Sequence, residues 1–141
     1  MPKHRLFIDS DIILDVFARR APHFADSATL LTLIEDKKIS GFSSPLVFAN
    51  IYYILRKLKS KEYALQSLRK LRILIDIFPM NQLQIDHALN SNFTDFEDAL
   101  QYYSAKSGKM DFIITRNKND YKHGSITVCT PTEYLTLIKI R

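Results

Sequence analysis

The strongest constraint on the fold is a series of short apolar runs in which hydrophobic and polar residues do not alternate. Five segments are strand candidates: RLFID (5–9), ISGFSS (39–44), DIFPM (76–80), MDFIIT (110–115) and SITVCT (125–130). Most of them lack the period of two that marks a half-buried strand. Strands that are buried on both faces have this pattern, and they are typical of parallel sheets covered by helices.

Segments with helical spacing of apolar residues separate these runs. They span residues 11–17, 24–36, 46–58, 61–74, 82–90, 94–107 and 131–138. Thr94 and Glu97 have the spacing of a capping box at the start of the sixth segment. The alternation of strands and helices predicts an α/β domain with three layers, α/β/α, and a mostly parallel sheet of four or five strands. The first strand should be central, because RLFI is apolar on both faces.

The composition indicates one soluble domain. The chain has 141 residues, of which 46% are hydrophobic, and it contains no linker or repeat, so residues 1–141 are assigned to a single domain. A lone cysteine, Cys129, excludes an internal disulfide. The N-terminal apolar run is broken by acidic residues, and no segment reaches the ~18 apolar residues of a membrane helix. We therefore expect a cytoplasmic protein without a membrane partner. The net charge of +5 is compatible with a polyanion such as RNA.

Acidic residues follow or flank the apolar runs at three distant places in the chain. They are Asp9 with Asp11, Asp95 with Asp98, and Asp111 with Asp120. The carboxyl ends of parallel strands meet at one crevice, where ligands bind. Several carboxylates gathered there would repel one another, and a divalent cation would stabilise them. The pattern therefore predicts a site for metal-dependent phosphoryl transfer or phosphodiester cleavage.

The acidic residues also have structural interpretations. Asp9 either binds the metal at the tip of its strand or caps the helix that follows. Asp95 and Asp98 lie in the first turn of a helix, where the helix dipole alone favours negative charge. Asp11 is a candidate supporting residue, whereas Asp15 is expected on a solvated face or in an ion pair.

Polar residues near the predicted crevice extend the candidate site. Asn50 lies in an apolar helix and is either a hydrogen-bonded core amide or a site residue. Asn117 and Asp120 follow the carboxyl end of the fourth strand, on the side of the predicted crevice. Asp111 lies at the opposite end of this strand and is interpreted as structural. Between them, Thr115 offers a hydroxyl and Arg116 a cation to a phosphate.

Together these segments resemble the PIN domain family. The resemblance rests on FIDSDIILD, FANIYYILRK, DFEDALQYYSA, DFIITRNKNDY and VCTPTEYL, which cover nearly the whole chain in order. It implies a Rossmann-like α/β/α fold. Many PIN domains are ribonucleases that depend on Mg²⁺ or Mn²⁺, and small bacterial members include the VapC-type toxins of toxin–antitoxin pairs. The implied partners are RNA and an antitoxin protein, and a homodimer is a further candidate assembly.

The resemblance also implies roles for individual residues. Asp9 and Asp98 match two acidic positions of the family, and Asp11 stands where its D-T-N motif has Asn. The other two acidic positions fall at Asn50 and Asn117, so both are amides in this chain. Three carboxylates remain as candidate metal ligands, namely Asp9, Asp98 and Asp120, the last of which would substitute for the missing fourth acid.

Three functions are compatible with these residues. The first is a metal-dependent endoribonuclease, in which Asp9, Asp98, Asn50 and Asn117 form the catalytic set. The second is a PIN domain of weak or no activity that binds RNA or a protein, which the two amides favour. The third is a phosphatase of the haloacid dehalogenase type, because D-S-D-I resembles its D-x-D-x-[TV] motif, although the required lysine and later acidic pair have no clear equivalent.

Overall fold

A five-stranded parallel sheet forms the centre of the molecule. The computed structural model describes residues 3–138. The strands are β1 (Arg5–Ile8), β2 (Ser40–Ser43), β3 (Asp76–Ile77), β4 (Phe112–Ile114) and β5 (Thr127–Cys129). Their order across the sheet is β3-β2-β1-β4-β5, and every neighbouring pair is parallel. The expected central position of the first strand is therefore confirmed.

Seven α-helices connect and cover the strands within the described residues. They are α1 (Ser10–Phe17), α2 (Phe24–Glu35), α3 (Pro45–Leu58), α4 (Lys61–Leu74), α5 (Gln82–Leu89), α6 (Phe96–Ser107) and α7 (Pro131–Leu137). Leu6 and Phe7 point to opposite faces of β1, and both are fully buried. Helices must therefore cover both faces of the sheet, which confirms the α/β/α architecture. None of the helices in residues 3–138 is long and apolar enough to cross a membrane.

The local start signals in the sequence explain several helix boundaries. The Ser44 side chain accepts a hydrogen bond from the backbone N–H of Val47, and Pro45 occupies the first turn of α3. Thr130 and Glu133 form a reciprocal capping box at the start of α7. These caps fix where the helices leave the sheet edge, and hence which side chains stand above it.

Three elements differ from the sequence-based predictions. The third strand ends at Ile77 rather than Met80, because Pro79 has no N–H to donate to a sheet. Helix α6 begins at Phe96, and Asp95 rather than Thr94 caps it, so the expected T-x-x-E capping box is wrong. A short 3₁₀ helix (Lys118–Tyr121), which was not predicted, follows β4 and brings Asp120 back toward the sheet edge.

Candidate metal and active site

The candidate site lies above the carboxyl ends of the two central strands. β1 ends at Ile8 and β4 at Ile114, and these two residues are register partners. The backbone N–H of Asp9 donates to the carbonyl oxygen of Ile114 at 3.0 Å. The first residues beyond both strands are therefore held side by side, as expected for the ligand-binding edge of an open parallel sheet.

A crevice of about 270 Å³ opens at this edge and collects residues from four segments of the chain. Its walls are formed by Asp9, Ser10, Asp11, Leu14, Arg20, Asn50, Glu97, Asp98, Gln101, Asn117 and Asp120. Of the residues expected at the site, six line this crevice together: Asp9, Asp11, Asn50, Asp98, Asn117 and Asp120. Asp95, Thr115 and Arg116 do not line it.

Asp9 caps the helix that follows β1 and also borders the crevice. It is the N-cap of α1, since its Oδ1 accepts a hydrogen bond from the Ser10 N–H at 2.8 Å. Its Oδ2 lies 3.4 Å from the hydroxyl of the buried Tyr121, which donates weakly to it. The capping bond fixes the rotamer of a carboxylate that is only 9% exposed and that borders the crevice.

The two acidic residues at the start of α6 have different structural positions. Asp95 is the N-cap, and its Oδ1 accepts a hydrogen bond from the Asp98 N–H at 2.9 Å. Asp98 stands one turn further on, is partly buried, and borders the crevice. Asp95 therefore orients the helix terminus, while Asp98 presents its carboxylate to the site.

Asp11 joins α1 to the loop that follows β4. Its Oδ2 accepts a hydrogen bond from the backbone N–H of Arg116 at 2.8 Å and lies 3.4 Å from Nδ2 of Asn117. Its Oδ1 is buried and has no hydrogen-bond partner among the described residues. A buried carboxylate oxygen without a partner is costly, and a cation or water bound in the crevice would satisfy it.

Asp15 and Arg116 form a buried ion pair behind the crevice. Asp15 is fully buried, which excludes the solvated face considered for it and leaves the ion pair. Arg116 donates to it from Nε at 3.1 Å and from Nη2 at 2.8 Å. Ser27 adds a hydroxyl donor at 3.1 Å. The guanidinium of Arg116 is thus engaged by Asp15, in contrast to the expected contact with a phosphate.

Thr115 differs from its sequence-based interpretation, whereas Asn50 agrees with one of the two interpretations given for it. Thr115 is fully buried, and its Oγ1 accepts a hydrogen bond from the Asn117 N–H at 3.1 Å, so its hydroxyl supports the loop from behind. Asn50 is exposed rather than part of the core. The second turn of α3 turns this amide toward the crevice, which removes the core-amide interpretation.

Burial and mutual repulsion raise the pKa of two carboxyl groups in the crevice. The pKa of Asp9 rises to about 6, chiefly because burial penalises its charge and secondly because of the negative charge of Asp11. The pKa of Asp98 rises to about 7, again mainly through desolvation and then through the charges of Asp120 and Asp95. Such shifts mark carboxylates that are held together at a cost in stability.

We expect the cation-free protein to lose stability as the pH rises from about 4 to about 7. In the folded state Asp9 and Asp98 retain protons at pH values where unfolded carboxyls, with a pKa of 3.8, have lost them. Their contribution is therefore fully present below pH ~4 and is lost as the pH rises through ~6 and ~7. Thermal melts in a chelator across this range test the prediction. The melting temperature should fall less steeply with pH in Asp98→Asn than in the wild type. An equally steep fall in the variant would contradict the prediction.

The residues present suit a hard divalent cation by their chemistry. Carboxylate and amide oxygens are the ligands of Mg²⁺, which usually keeps several waters and binds through one or two carboxylates. Within residues 3–138 no three His, Cys, Asp or Glu side chains stand close enough to form a ready-made cage. The fit is therefore to a partly hydrated ion held mainly by Asp9 and Asp98, with water between the ion and more distant oxygens.

Five residues that line the crevice were not among the expected site residues, namely Ser10, Leu14, Arg20, Glu97 and Gln101. Gln101 is almost completely buried, and its Oε1 accepts a hydrogen bond from the Ser44 hydroxyl at 2.5 Å. It lies three residues after Asp98, a spacing that puts both side chains on one helix face and that was the available signal. Arg20, which follows α1, carried no comparable signal.

The chain is similar in sequence to a protein named as a ribonuclease, and its fold is similar to that of toxin structures. It is 27% identical over 139 residues to "Ribonuclease VapC1" of Aquifex aeolicus (strain VF5), an alignment that covers 95% of each chain. A toxin–antitoxin complex from Klebsiella pneumoniae superposes with a TM-score of 0.68 at 20% identity, covering 89% of this chain and 97% of the other. Mycobacterium tuberculosis VapC20, described as a sarcin-ricin loop cleaving toxin, gives a TM-score of 0.65 at 10% identity, covering 86% and 98%.

A family model agrees with these relatives and with the fold. The model described as the PIN domain matches residues 5–119, which include β1, β4 and every residue that lines the crevice except Asp120. The parallel sheet, the acidic crevice at its carboxyl edge and this match lead to one assignment: the chain belongs to the PIN domain family.

Proposed function

We propose that this PIN domain is a metal-dependent endoribonuclease that cleaves phosphodiester bonds of RNA. The observation that carries the proposal is the convergence of Asp9, Asp98 and Asp120 in one crevice. These residues come from three distant segments, and the pKa values of the first two are raised by burial and by neighbouring acids. Such a cluster contributes little to the stability of the fold by itself, because its carboxylates repel one another. A bound divalent cation would offset this repulsion, which gives the cluster a function.

The proposed roles follow from the position of each side chain. Asp9 and Asp98 would hold Mg²⁺ or Mn²⁺, and Asp120 on the exposed 3₁₀ helix would add negative charge beside the ion. A cation bound there would lower the pKa of a bound water and offset charge on the scissile phosphate. Asn50 and Asn117 orient water or RNA through their amides, because an amide donates and accepts hydrogen bonds but does not take up a proton at neutral pH.

We further propose that the protein acts as the toxin of a toxin–antitoxin pair in the cytoplasm, where RNA is accessible. The support is its similarity to a relative named Ribonuclease VapC1 and to a toxin–antitoxin complex of the same fold. The implied partners are RNA and an antitoxin protein, and a homodimer remains a prediction. Co-expression with the product of a neighbouring small gene would test the antitoxin.

A second candidate function is binding of RNA without cleavage. It is favoured by the amides at Asn50 and Asn117, which reduce the negative charge available to a cation. The phosphatase interpretation is set aside, since the chain belongs to the PIN domain family and no lysine is among the described residues that line the crevice.

Cleavage of RNA in the presence and absence of a divalent cation separates the two candidates. Labelled single-stranded RNA and total RNA should be cut with Mg²⁺ or Mn²⁺ and remain intact in a chelator. The same cation should stabilise the fold by about 2.7 kcal/mol at a concentration a hundred times its Kd. Intact RNA together with unchanged thermal melts in Mn²⁺ would overturn the nuclease proposal and favour the binding module.

A further inference from the structure

Arg20 is the cationic residue that borders the acidic crevice. It lies just beyond the end of α1, and its side chain is 42% exposed. It shares the crevice wall with Asp9, Asp98 and Asp120. Its Nη2 donates to the backbone carbonyl oxygen of Asp11 at 3.2 Å, which ties the guanidinium to the first turn of α1. The positive charge is thus held at the rim of the carboxylate cluster.

The charge of Arg20 is not needed to neutralise its acidic neighbour. Asp15 already receives two charge-assisted hydrogen bonds from Arg116 and one from Ser27. The Nε of Arg20 is 3.4 Å from Oδ1 of Asp15, which is long for a hydrogen bond. The Asp15 carboxylate is thus paired mainly with Arg116, and Arg20 is the more exposed of the two arginines beside it.

The guanidinium of Arg20 also has donors to spare. Of its five N–H groups, one is used on the Asp11 carbonyl, and Nε faces Asp15. Nη1 has no hydrogen-bond partner among residues 3–138. The fork of a guanidinium matches two oxygens of one phosphate, and such bidentate bonds are strong and directional. Arg116 is not placed to serve in this way, because it is bonded to Asp15 and does not line the crevice.

We propose that Arg20 binds a backbone phosphate of RNA beside the carboxylate cluster and so holds the RNA at the crevice. This inference rests on the proposed function, since it names a contact for that substrate. The proposed contact would also reduce the electrostatic repulsion between RNA and the crevice. A polyanion that approaches several carboxylates is repelled, and a fixed cation at their edge lowers that barrier and positions the strand.

The test compares Arg20→Gln with Arg19→Gln. Arg19 is the neighbouring exposed arginine, it lies against the ring of Phe24, and it does not line the crevice. Both variants lose one positive charge, so they alter the general electrostatics equally. Binding of a fluorescein-labelled single-stranded RNA oligonucleotide is measured by fluorescence anisotropy between 50 and 300 mM salt, in a chelator so that binding is read without metal-dependent cutting.

Loss of one phosphate contact has a quantitative signature. The slope of log K against log salt should fall in magnitude by about 0.7 in Arg20→Gln, the value for one contact to a single strand. Arg19→Gln should change it by clearly less. Arg20→Lys keeps the charge but loses the fork, so it should bind more weakly than the wild type at a nearly unchanged slope. Thermal melts check that each variant is folded. If Arg20→Gln does not fold, RNA binding by Arg20→Lys is compared with that of the wild type instead.

The outcomes separate this inference from the proposed function. Equal slopes for Arg20→Gln and Arg19→Gln, or no RNA binding by the wild type, would overturn the role of Arg20. Metal-dependent cleavage by the wild type would still stand in the first case. Conversely, a reduced slope in Arg20→Gln without any cleavage by the wild type would support the Arg20 contact and contradict the nuclease.

Discussion

Replacing Asp98 with asparagine should reduce RNA cleavage by at least about a hundredfold and abolish stabilisation by Mn²⁺. Changes in groups that merely support metal ligands cost 10–100-fold in affinity or activity, so loss of a direct ligand should cost at least as much. Asp98 borders the crevice from the first turn of α6, and its pKa is raised to about 7 mainly by burial and then by nearby carboxylates, whose repulsion a cation would relieve. The measurements are single-turnover cleavage and thermal melts at increasing Mn²⁺.

A matched control is Asp86→Asn, which makes the same chemical change on an exposed residue of α5 outside the crevice. It should cleave RNA and respond to Mn²⁺ as the wild type does. Asn50→Glu supplies the opposite change, because it adds a carboxylate at a position where the family usually has one. It should increase Mn²⁺ affinity. Cleavage by Asp98→Asn at the wild-type rate, under matched metal and salt, would remove the metal-ribonuclease proposal.

The sequence predicted the sheet well because burial leaves a clear pattern. RLFI is apolar at every position facing either layer, so its place at the centre of a parallel sheet followed directly. The edge strand was less well predicted, since Asp76 and Ile77 are exposed and only the position of Pro79 limits the strand. Edge strands are shaped more by neighbouring loops than by their own residues.

The acidic part of the site was also predictable, whereas its supporting residues were not. Asp9 and Asp98 occur at strand and helix ends, where sequence and topology give the same answer. The local pattern around Asn50 left two interpretations open, because its apolar neighbours are compatible with burial, and the structure places this residue at the crevice. The buried position of Asp15 depends on Arg116, one hundred and one residues away, and no local pattern carries such a pairing. Arg20 gains its place through the same long-range pair.

Arg116→Ala should destabilise the fold by roughly 3 kcal/mol, the low end of the cost of removing one partner of a buried ion pair. Asp15 would keep its burial and lose two charge-assisted hydrogen bonds. Arg20 moderates the loss, because its Nε is already 3.4 Å away. Thermal or urea unfolding measures the effect. The control is Arg72→Ala, whose ion pair with Asp76 is exposed on both sides and should be worth less than about 1 kcal/mol.

The double variant Asp15→Leu with Arg116→Met distinguishes an unpaired charge from lost packing. If the cost of Arg116→Ala comes from a buried carboxylate without its partner, replacing both charges by apolar side chains should recover most of the stability. The variant should nevertheless lose RNA cleavage. The side chain of Arg116 ties the loop after β4 to Asp15 of α1, and this loop positions Asn117 and Asp120 at the crevice. A stable double variant with wild-type cleavage would show that the pair serves the core alone.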